Sequence, residues 1–111
     1  PAHMRRKVMH LVALQRADGS WQLTDEFARA IGWPMDRLLD GLSKAGDRGP
    51  GSADAWATAM ALAWLDRYGK EMHDEWQMIA SKGHRWFEVF ERSTQSRQYL
   101  DLARRAVAKE G

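Results

Sequence analysis

The chain has 111 residues, of which 44% are hydrophobic and 29% are charged, proportions that are ordinary for one soluble globular domain. Seventeen Lys and Arg residues nearly balance fifteen Asp and Glu residues, and the formal net charge of +2 is far from the dense positive field of a nucleic-acid-binding domain. The chain contains no cysteine, which excludes disulfides, thiolate chemistry and cysteine-based zinc sites and fits the cytoplasmic location that we expect.

The N-terminal segment suggests that the chain was cut from a longer protein. Residues 1–4 look like the remnant that cleavage of an expression tag leaves behind, so we expect the natural sequence to begin at Arg5. The first predicted helix, over residues 4–16, opens with three basic residues, 5–7, whose charges oppose the helix macrodipole at that end. A helix with such a start is expected to continue upstream, and we expect residues 5–111 to form a single helical domain.

A turn and a short helix follow. Residues 18–20, with the sequence Asp-Gly-Ser, are a strong turn signal because Gly19 can adopt positive φ. We expect this turn to be a structural corner in which Trp21 fills the core. Thr24 is predicted to cap the next helix at its N-terminus, and Gly32 to end it.

A new helix is predicted to begin at Pro34, directly after Trp33. Proline suits the first position of a helix, and it disfavours helical backbone for the tryptophan before it. The next helix has a buried stripe of leucines at 38, 39 and 42. Residues 46–52 contain three glycines and one proline, which predicts a loop, and Ser52 is expected to cap the helix that follows.

The helix predicted over residues 53–68 is apolar nearly all round. It includes the stripe Trp56, Met60 and Trp64. A helix without a polar face must be surrounded by others, so we expect it to lie at the centre of the fold. Its uncharged run, residues 55–65, has eleven residues. A membrane span needs about 20 apolar residues, so we expect no membrane association.

From Lys70 to Phe90, apolar residues recur at alternating steps of four and three, a seam that is typical of helical bundles. The seam consists of Met72, Trp76, Ile79, Gly83, Trp86 and Phe90. Gly83 is expected to let a partner backbone or a large ring approach closely, and the helix is expected to pack antiparallel to the central one. A last helix is predicted after Thr94. The patterns together predict an all-α fold, a compact bundle of five to six helices around a central apolar helix.

Few residues of the chain are arranged for catalysis or for metal binding. Neighbours such as Asp25 and Glu26, or the acidic pair at 74–75, point about 100° apart on a helix and do not converge on one site. His73 and His84 are about three turns apart, too far to share a metal ion. Neither a GxSxG nucleophile elbow nor a phosphate-binding loop occurs in the sequence. We therefore predict no enzyme activity, no cofactor and no metal.

Two separated segments, read together, resemble a known family. The first is LVALQRADGSW at residues 11–21, followed by Leu-Thr at 23–24, and the second is WATAMALAWL at residues 56–65. The downstream EWQMI at residues 75–79 and Trp86 complete the pattern. It resembles the C-terminal region of proteins that carry VIT and von Willebrand factor A domains. It is similar, more distantly, to the C-terminal region of the vault-associated poly(ADP-ribose) polymerase, which binds the major vault protein.

The resemblance implies a non-catalytic protein-interaction module at the C-terminus of a larger, multidomain protein. It implies a protein partner, with a large self-assembling scaffold as one such partner. The positions that match the family pattern, or that belong to the predicted core, are expected to be structural: Gln15, Asp18, Gly19, Trp21, Trp56, Thr58, Trp64, Trp76 and Trp86.

The predicted partner-binding residues are Trp33, Pro34, Arg48 and Pro50. Trp33 is expected to be an exposed aromatic anchor, because rigid aromatic residues are common interface hot spots, with the 46–52 loop at the rim. Two alternatives stay open. In the first, Trp33 staples together the helices on either side of it. In the second, the domain binds nucleic acid through the basic residues of its terminal helices.

Overall fold

Regular structure is entirely helical in the part of the chain that the computed structural model describes, residues 2–46, 49–94 and 98–110. Six α-helices lie in these ranges: α1 (Ala2–Ala13), α2 (Asp25–Ile31), α3 (Met35–Ala45), α4 (Ser52–Tyr68), α5 (His73–Thr94) and α6 (Tyr99–Glu110). The radius of gyration of the Cα atoms is 12.9 Å, close to the value of about 13 Å expected for a folded chain of this length. The predicted all-α class is confirmed.

Helix α4 lies at the centre of the bundle. Every residue from Ala55 to Leu65 is buried. All five other helices pack against it or against its immediate neighbours, and α6 packs on it most extensively. The prediction of a central apolar helix is therefore confirmed. Of the helices that the structure describes, none is long and apolar enough to cross a membrane.

Helix α5 runs antiparallel to α4, as predicted. Trp76, near the start of α5, contacts Gly69 just beyond the end of α4, whereas Gly83, about two turns further along α5, lies against Leu62. Residues later in α5 thus contact residues earlier in α4, which is the pattern of two antiparallel helices. A Cβ added at Gly83 would lie 3.2 Å from Leu62 Cδ2 and 3.2 Å from Trp21 Cζ3, so the predicted close approach at this glycine is confirmed.

The helix predicted over the seam is divided in the structure. A 3₁₀ turn over Lys70–Met72 comes first, and α5 then runs past Phe90 to Thr94. Trp76 is buried, whereas Trp86 is half-buried and stacks on Phe90 with ring centroids 5.6 Å apart. Three of the six seam residues, Trp76, Gly83 and Phe90, are therefore buried, and Met72, Ile79 and Trp86 are half-buried.

Two predicted helix signals act as expected. The hydroxyl of Thr24 accepts a hydrogen bond from the amide of Phe27 at 3.1 Å, which caps α2. Gly32 ends the same helix with a φ of +73°, a left-handed conformation that glycine adopts without strain.

Three helix boundaries differ from the prediction. Pro34 has extended backbone and lies at the N-cap position, so α3 begins one residue later, at Met35. Gly51, with a φ of +83°, takes the N-cap position of α4, and Ser52 is the first helical residue instead of the cap. Helix α1 ends at Ala13, three residues before the predicted end, because the chain turns there into the corner.

Candidate functional site

The predicted corner is built from short hydrogen bonds. The amide and the hydroxyl of Ser20 donate to Asp18 Oδ1 at 2.9 and 2.6 Å, and these bonds hold the pKa of the Asp18 carboxyl below its ordinary range. The carbonyl of Gly19 accepts from Gln15 Nε2 at 2.9 Å, and the same amide donates to the carbonyl of Ile79 at 2.9 Å. The side chain of Gln15 therefore ties the corner to α5.

Trp21 connects the corner to α1 and α4. Its side chain is fully buried, its Nε1 donates to the carbonyl of Leu11 at 2.8 Å, and its amide donates to Thr58 Oγ1 at 2.9 Å. The hydroxyl of Thr58 donates in turn to the carbonyl of Asp54, one turn back in α4. Sequence reasoning missed Arg16, whose Nη2 lies 2.7 Å from Asp54 Oδ2, because no local pattern pairs residues so far apart in the chain.

Other tryptophans are also engaged inside the fold. Trp56 Nε1 donates to the carbonyl of Leu38 at 2.9 Å, and Trp76 Nε1 donates to the carbonyl of Gly69 at 2.7 Å. Trp64 is buried in α4 and packs beside Tyr68, with ring centroids 5.3 Å apart. These residues hold the bundle together and are not available at its surface.

The prediction that Trp33 is an exposed anchor is wrong. Trp33 is only 5% exposed, because its ring turns towards the inside of the bundle and the guanidinium of Arg37 lies over it, 3.9 Å from the ring centroid. This burial agrees with the alternative in which Trp33 holds neighbouring helices together. Pro34 and Pro50 are exposed as single residues on the surface, and Arg48 lies outside the described residues.

Trp33 nevertheless forms one wall of a groove between α3 and α6, which we call the α3–α6 groove. The groove has a volume of about 340 Å³. Helix α6 is placed beside α3 partly by Gln98, whose side-chain amide donates to the carbonyl of Ala45. Trp33 Nε1 is buried and has no acceptor within the described part of the chain.

The floor of the α3–α6 groove is apolar. Trp56, Leu102 and Ala106 contribute to it. Gly41 lets α3 lie directly against the Trp56 ring, because an added Cβ would overlap Trp56 Cζ2. The floor therefore depends on a glycine in the middle of α3 and on residues from the middle and the C-terminal end of the chain.

The rim of the α3–α6 groove is positively charged. Its charged residues are Arg37, Lys44, Arg105, Lys109 and Asp40. Lys44 Nζ lies 3.1 Å from Asp40 Oδ2, but both side chains are exposed and such a pair adds little stability. Arg105 and Lys109 are one turn apart on α6, and no described acidic residue forms an ion pair with either. Positive charge on one side of the groove is therefore uncompensated by its described neighbours.

A second hollow, of about 410 Å³, opens at the beginning of α5. Its wall includes Arg5, whose two terminal nitrogens donate to the Glu75 carboxylate at 2.7 and 2.6 Å. This hollow is larger, but its lining is mainly polar and its arginine is already paired. The α3–α6 groove has an apolar floor, and two of its cations, Arg105 and Lys109, form no ion pair with a described residue, so it is the better candidate for a binding site.

The described residues contain few arrangements that suggest chemistry. Within ranges 2–46, 49–94 and 98–110, no three His, Asp or Glu side chains come close enough to hold a metal ion. His10 Nε2 lies 3.4 Å from Glu26 Oε1, and both side chains are about half exposed. The α3–α6 groove offers apolar contact and positive charge, which suit binding.

The fold and the site together define a small helical segment that carries a basic groove with an apolar floor. No protein-family model matches the chain, and no solved structure matches it significantly. The chain is similar to part of the von Willebrand factor A domain-containing protein 5A. It is 32% identical to the rat protein over 79 residues, 71% of this chain, and 27% identical to the human protein over 94 residues, 85% of this chain.

A von Willebrand factor A domain-containing protein of Dictyostelium discoideum is also similar, with 28% identity over 82 residues, 71% of this chain. The chain spans only 9% of the rat protein, 12% of the human protein and 4% of the Dictyostelium protein. These similarities relate the chain to proteins that contain von Willebrand factor A domains, in agreement with that part of the sequence resemblance.

Proposed function

We propose that the chain is a non-catalytic docking module that attaches a larger protein to an assembly of other proteins. The α3–α6 groove is the observation that carries this proposal. Its apolar floor gives a partner side chain a surface on which to be buried, and its charged rim favours one orientation of that partner. Grooves between helices commonly receive peptide segments in this way.

The similarity to larger proteins supports the proposal. The chain spans about a tenth of the length of the rat and human relatives, which is what one module of a multidomain protein would do. The sequence resemblance extends, more distantly, to the C-terminal region of the vault-associated polymerase, which binds the major vault protein. By this likeness the partner is a large self-assembling scaffold, and the parent protein acts in the cytoplasm.

Several side chains that could take part in a reaction are instead engaged in holding the fold together, which supports a non-catalytic role. The Thr58 hydroxyl and the Gln15 amide are engaged in hydrogen bonds that hold the corner, and Arg16 is paired with Asp54. The groove itself is lined, in the described part of the chain, by neither histidine nor serine. Its residues are suited to contact and charge pairing.

A sedimentation experiment tests the docking function. A fluorescent protein fused to this chain is added to an extract of the host and centrifuged through a sucrose gradient. We expect the fusion to move into the fast-sedimenting fractions with the assembly. The control fusion carries Trp21→Ala, which empties a fully buried site at a cost of about 3–5 kcal/mol and should unfold the domain, so it should stay at the top.

Two results would contradict the proposal. In the first, the unaltered fusion stays at the top of the gradient together with the free reporter. In the second, nuclease treatment of the extract abolishes the sedimentation. That result would favour the nucleic-acid alternative, in which the exposed Arg104 and Arg105 of α6 contact phosphate.

A further inference from the structure

We propose that the α3–α6 groove binds an acidic segment of a partner protein. One apolar side chain of that segment lies on the groove floor, and neighbouring Asp or Glu carboxylates contact Arg105 and Lys109. The inference rests on the proposed docking function and adds the chemistry of the segment that docks.

The size and floor of the groove fit one anchoring side chain. Its volume of about 340 Å³ lies near the lower end of the range of about 300–1,000 Å³ that ligand pockets occupy. Leu102 and Ala106 on the floor are half-buried, so an apolar group that covers them gains free energy, whereas Trp56 is already buried and only shapes the floor. A single aliphatic or aromatic residue, flanked by polar residues, is the kind of anchor that dominates binding at such grooves.

The charge of the groove selects an anionic partner. Arg105 and Lys109 lie one turn apart on the exposed rim, with no described acidic residue paired to them. Asp40, on the opposite rim, is already beside Lys44. An arginine guanidinium presents two parallel N–H groups that match a carboxylate, so acidic side chains on the occupant would find a directed partner here.

The wall of the groove contains a hydrogen-bond donor that is not used within the described residues. Trp33 Nε1 is buried without an acceptor, and an unpaired buried donor costs free energy that a carbonyl or carboxylate oxygen of the occupant would recover. The Arg37 guanidinium covers this ring and is carried on a long, exposed side chain.

Nucleic acid fits the groove less well than an acidic peptide does. Bases bind to proteins by stacking on exposed aromatic faces, whereas Trp33 and Trp56 are 5% and 1% exposed. The net charge of +2 gives the chain little long-range attraction for a nucleic acid, whose negative charge repeats along its whole backbone. The apolar floor has no counterpart in a phosphate backbone.

A peptide-selection experiment tests the inference. The folded domain is immobilised and used to select binders from a displayed library of random short peptides, and a domain carrying Arg105→Glu and Lys109→Glu is used in a parallel selection. We expect Asp and Glu, together with one large apolar residue, to be enriched on the unaltered domain. On the charge-reversed domain the acidic enrichment should vanish. Selection of the same peptides by both domains, or of peptides without acidic residues, would overturn the inference.

Arg104→Glu is a matched control for the affinity of a selected peptide. Arg104 adjoins Arg105 and is also exposed, but it faces a different hollow, beside Asp66 and Arg67. By isothermal titration, we expect the Kd to rise about tenfold or more for the Arg105→Glu/Lys109→Glu domain and less than about twofold for Arg104→Glu. Replacing the peptide's acidic residues by Gln and Asn should weaken binding to the unaltered domain equally. The same loss with Arg104→Glu would indicate diffuse charge attraction and overturn the assignment to the groove.

The reporter fusion separates this inference from the docking function. A fusion carrying the reversals at Arg105 and Lys109 should stay at the top of the gradient while the unaltered fusion sediments. If both fusions sediment, the groove inference is wrong and the docking function stands. If the unaltered fusion does not sediment, the docking function is wrong. A single-stranded oligonucleotide that displaces the selected peptide and binds more tightly would identify nucleic acid as the occupant and also overturn the inference.

Discussion

Gly19 is constrained in two independent ways. Its φ of +100° is a conformation that residues with side chains rarely adopt, and a Cβ at this position would lie 2.6 Å from the carbonyl oxygen of Lys82. The turn imposes the first constraint and the contact with α5 imposes the second. Gly46 has only the first, since its φ is +79° and nothing lies within 4 Å of an added Cβ.

Replacing Gly19 by Ala should therefore cost more stability than replacing Gly46 by Ala. We expect Gly46→Ala to lower the free energy of unfolding by about 1–2 kcal/mol, the cost of a left-handed alanine. Gly19→Ala should lower it by about 3 kcal/mol or more, because the backbone of α5 must also move. Urea denaturation of both variants measures the difference. Equal losses would contradict the close contact between the corner and α5.

Buried indoles show what the sequence can predict about single residues and what it cannot. A buried tryptophan needs a hydrogen-bond acceptor, and this was predictable from the residue type alone. The acceptors of Trp21, Trp56 and Trp76 are backbone carbonyls, and every carbonyl in the chain has the same chemistry. Which carbonyl is used depends on how two elements pack, so no sequence pattern identifies it. The acceptors in the structure belong to Leu11, Leu38 and Gly69.

At the scale of elements, two helical glycines permit close packing to different degrees. Gly41 in α3 lies against the ring of Trp56, which is buried and bonded to the carbonyl of Leu38. Gly83 in α5 lies against Leu62 and the ring of Trp21, and an added Cβ would be 3.2 Å from an atom of each. At Gly41 the added Cβ would overlap Trp56 Cζ2 outright, whereas at Gly83 its neighbours would need to move by only a few tenths of an ångström.

Alanine substitutions at these two glycines should change the free energy of unfolding by different amounts. In a free helix each Gly→Ala change would stabilise by about 1 kcal/mol. We expect Gly83→Ala to stay within about 1 kcal/mol of the parent, since propensity and crowding oppose each other. Gly41→Ala should destabilise by about 2 kcal/mol or more, because the methyl group overlaps the Trp56 ring. Chemical denaturation measures both, and a Gly41→Ala protein as stable as the parent would show that α3 does not lie on that ring.

The ends of helices were predictable where the capping hydrogen bond joins residues that are only a few positions apart in the sequence. Thr24 accepts from Phe27, three residues on, and both residues belong to the same short pattern. Ser52 was predicted wrongly because the glycine before it takes a left-handed conformation. The carbonyl of Gly51 already accepts from the amide of Ala55 at 2.9 Å, which moves the cap back by one residue. Such a conformation is open to any glycine in a loop, so the sequence does not say which glycine adopts it.

The burial of Trp33 and the α3–α6 groove lay beyond sequence reasoning. Pro34 restricts the backbone of Trp33 but not the direction of its ring. The ring is buried in a region completed by Leu102 and Ala106 of α6, which come from the far end of the chain. Periodicity predicted both helices and most of their apolar sides, although Leu39, expected in the buried stripe of α3, is 50% exposed. It contains no information on which two helices become neighbours.

At the scale of the whole molecule, α6 completes the core. Tyr99, Ala103 and Val107 are each buried to 1% exposure or less. The ring of Tyr99 lies edge-on to those of Phe87 and Phe90, with centroids 6.3 and 5.7 Å away. Removing α6 would therefore expose both the most extensive contact surface of α4 and an aromatic cluster.

A chain shortened to residues 1–94 should not fold cooperatively. Without α6, the apolar surface of α4 meets water, and we expect loss of the near-ultraviolet circular dichroism of the tryptophans and of a sharp thermal transition. A chain ending at Ala108 keeps Tyr99, Ala103 and Val107, and it should melt within about 4–8 °C of the full chain. A sharp transition in the 1–94 chain would show that α6 is an accessory to the bundle instead of part of it.

The position of α4 in the order of helices has a consequence for biosynthesis. The most apolar helix is made before α5 and α6, which cover much of it. About 40 residues separate the end of α4 from the end of α6, so at about 5–20 residues per second the nascent chain carries an uncovered α4 for about 2–8 s. Through that interval chaperones and neighbouring nascent chains compete for the helix. The pace of translation over residues 69–110 therefore influences how much of the protein reaches its native state.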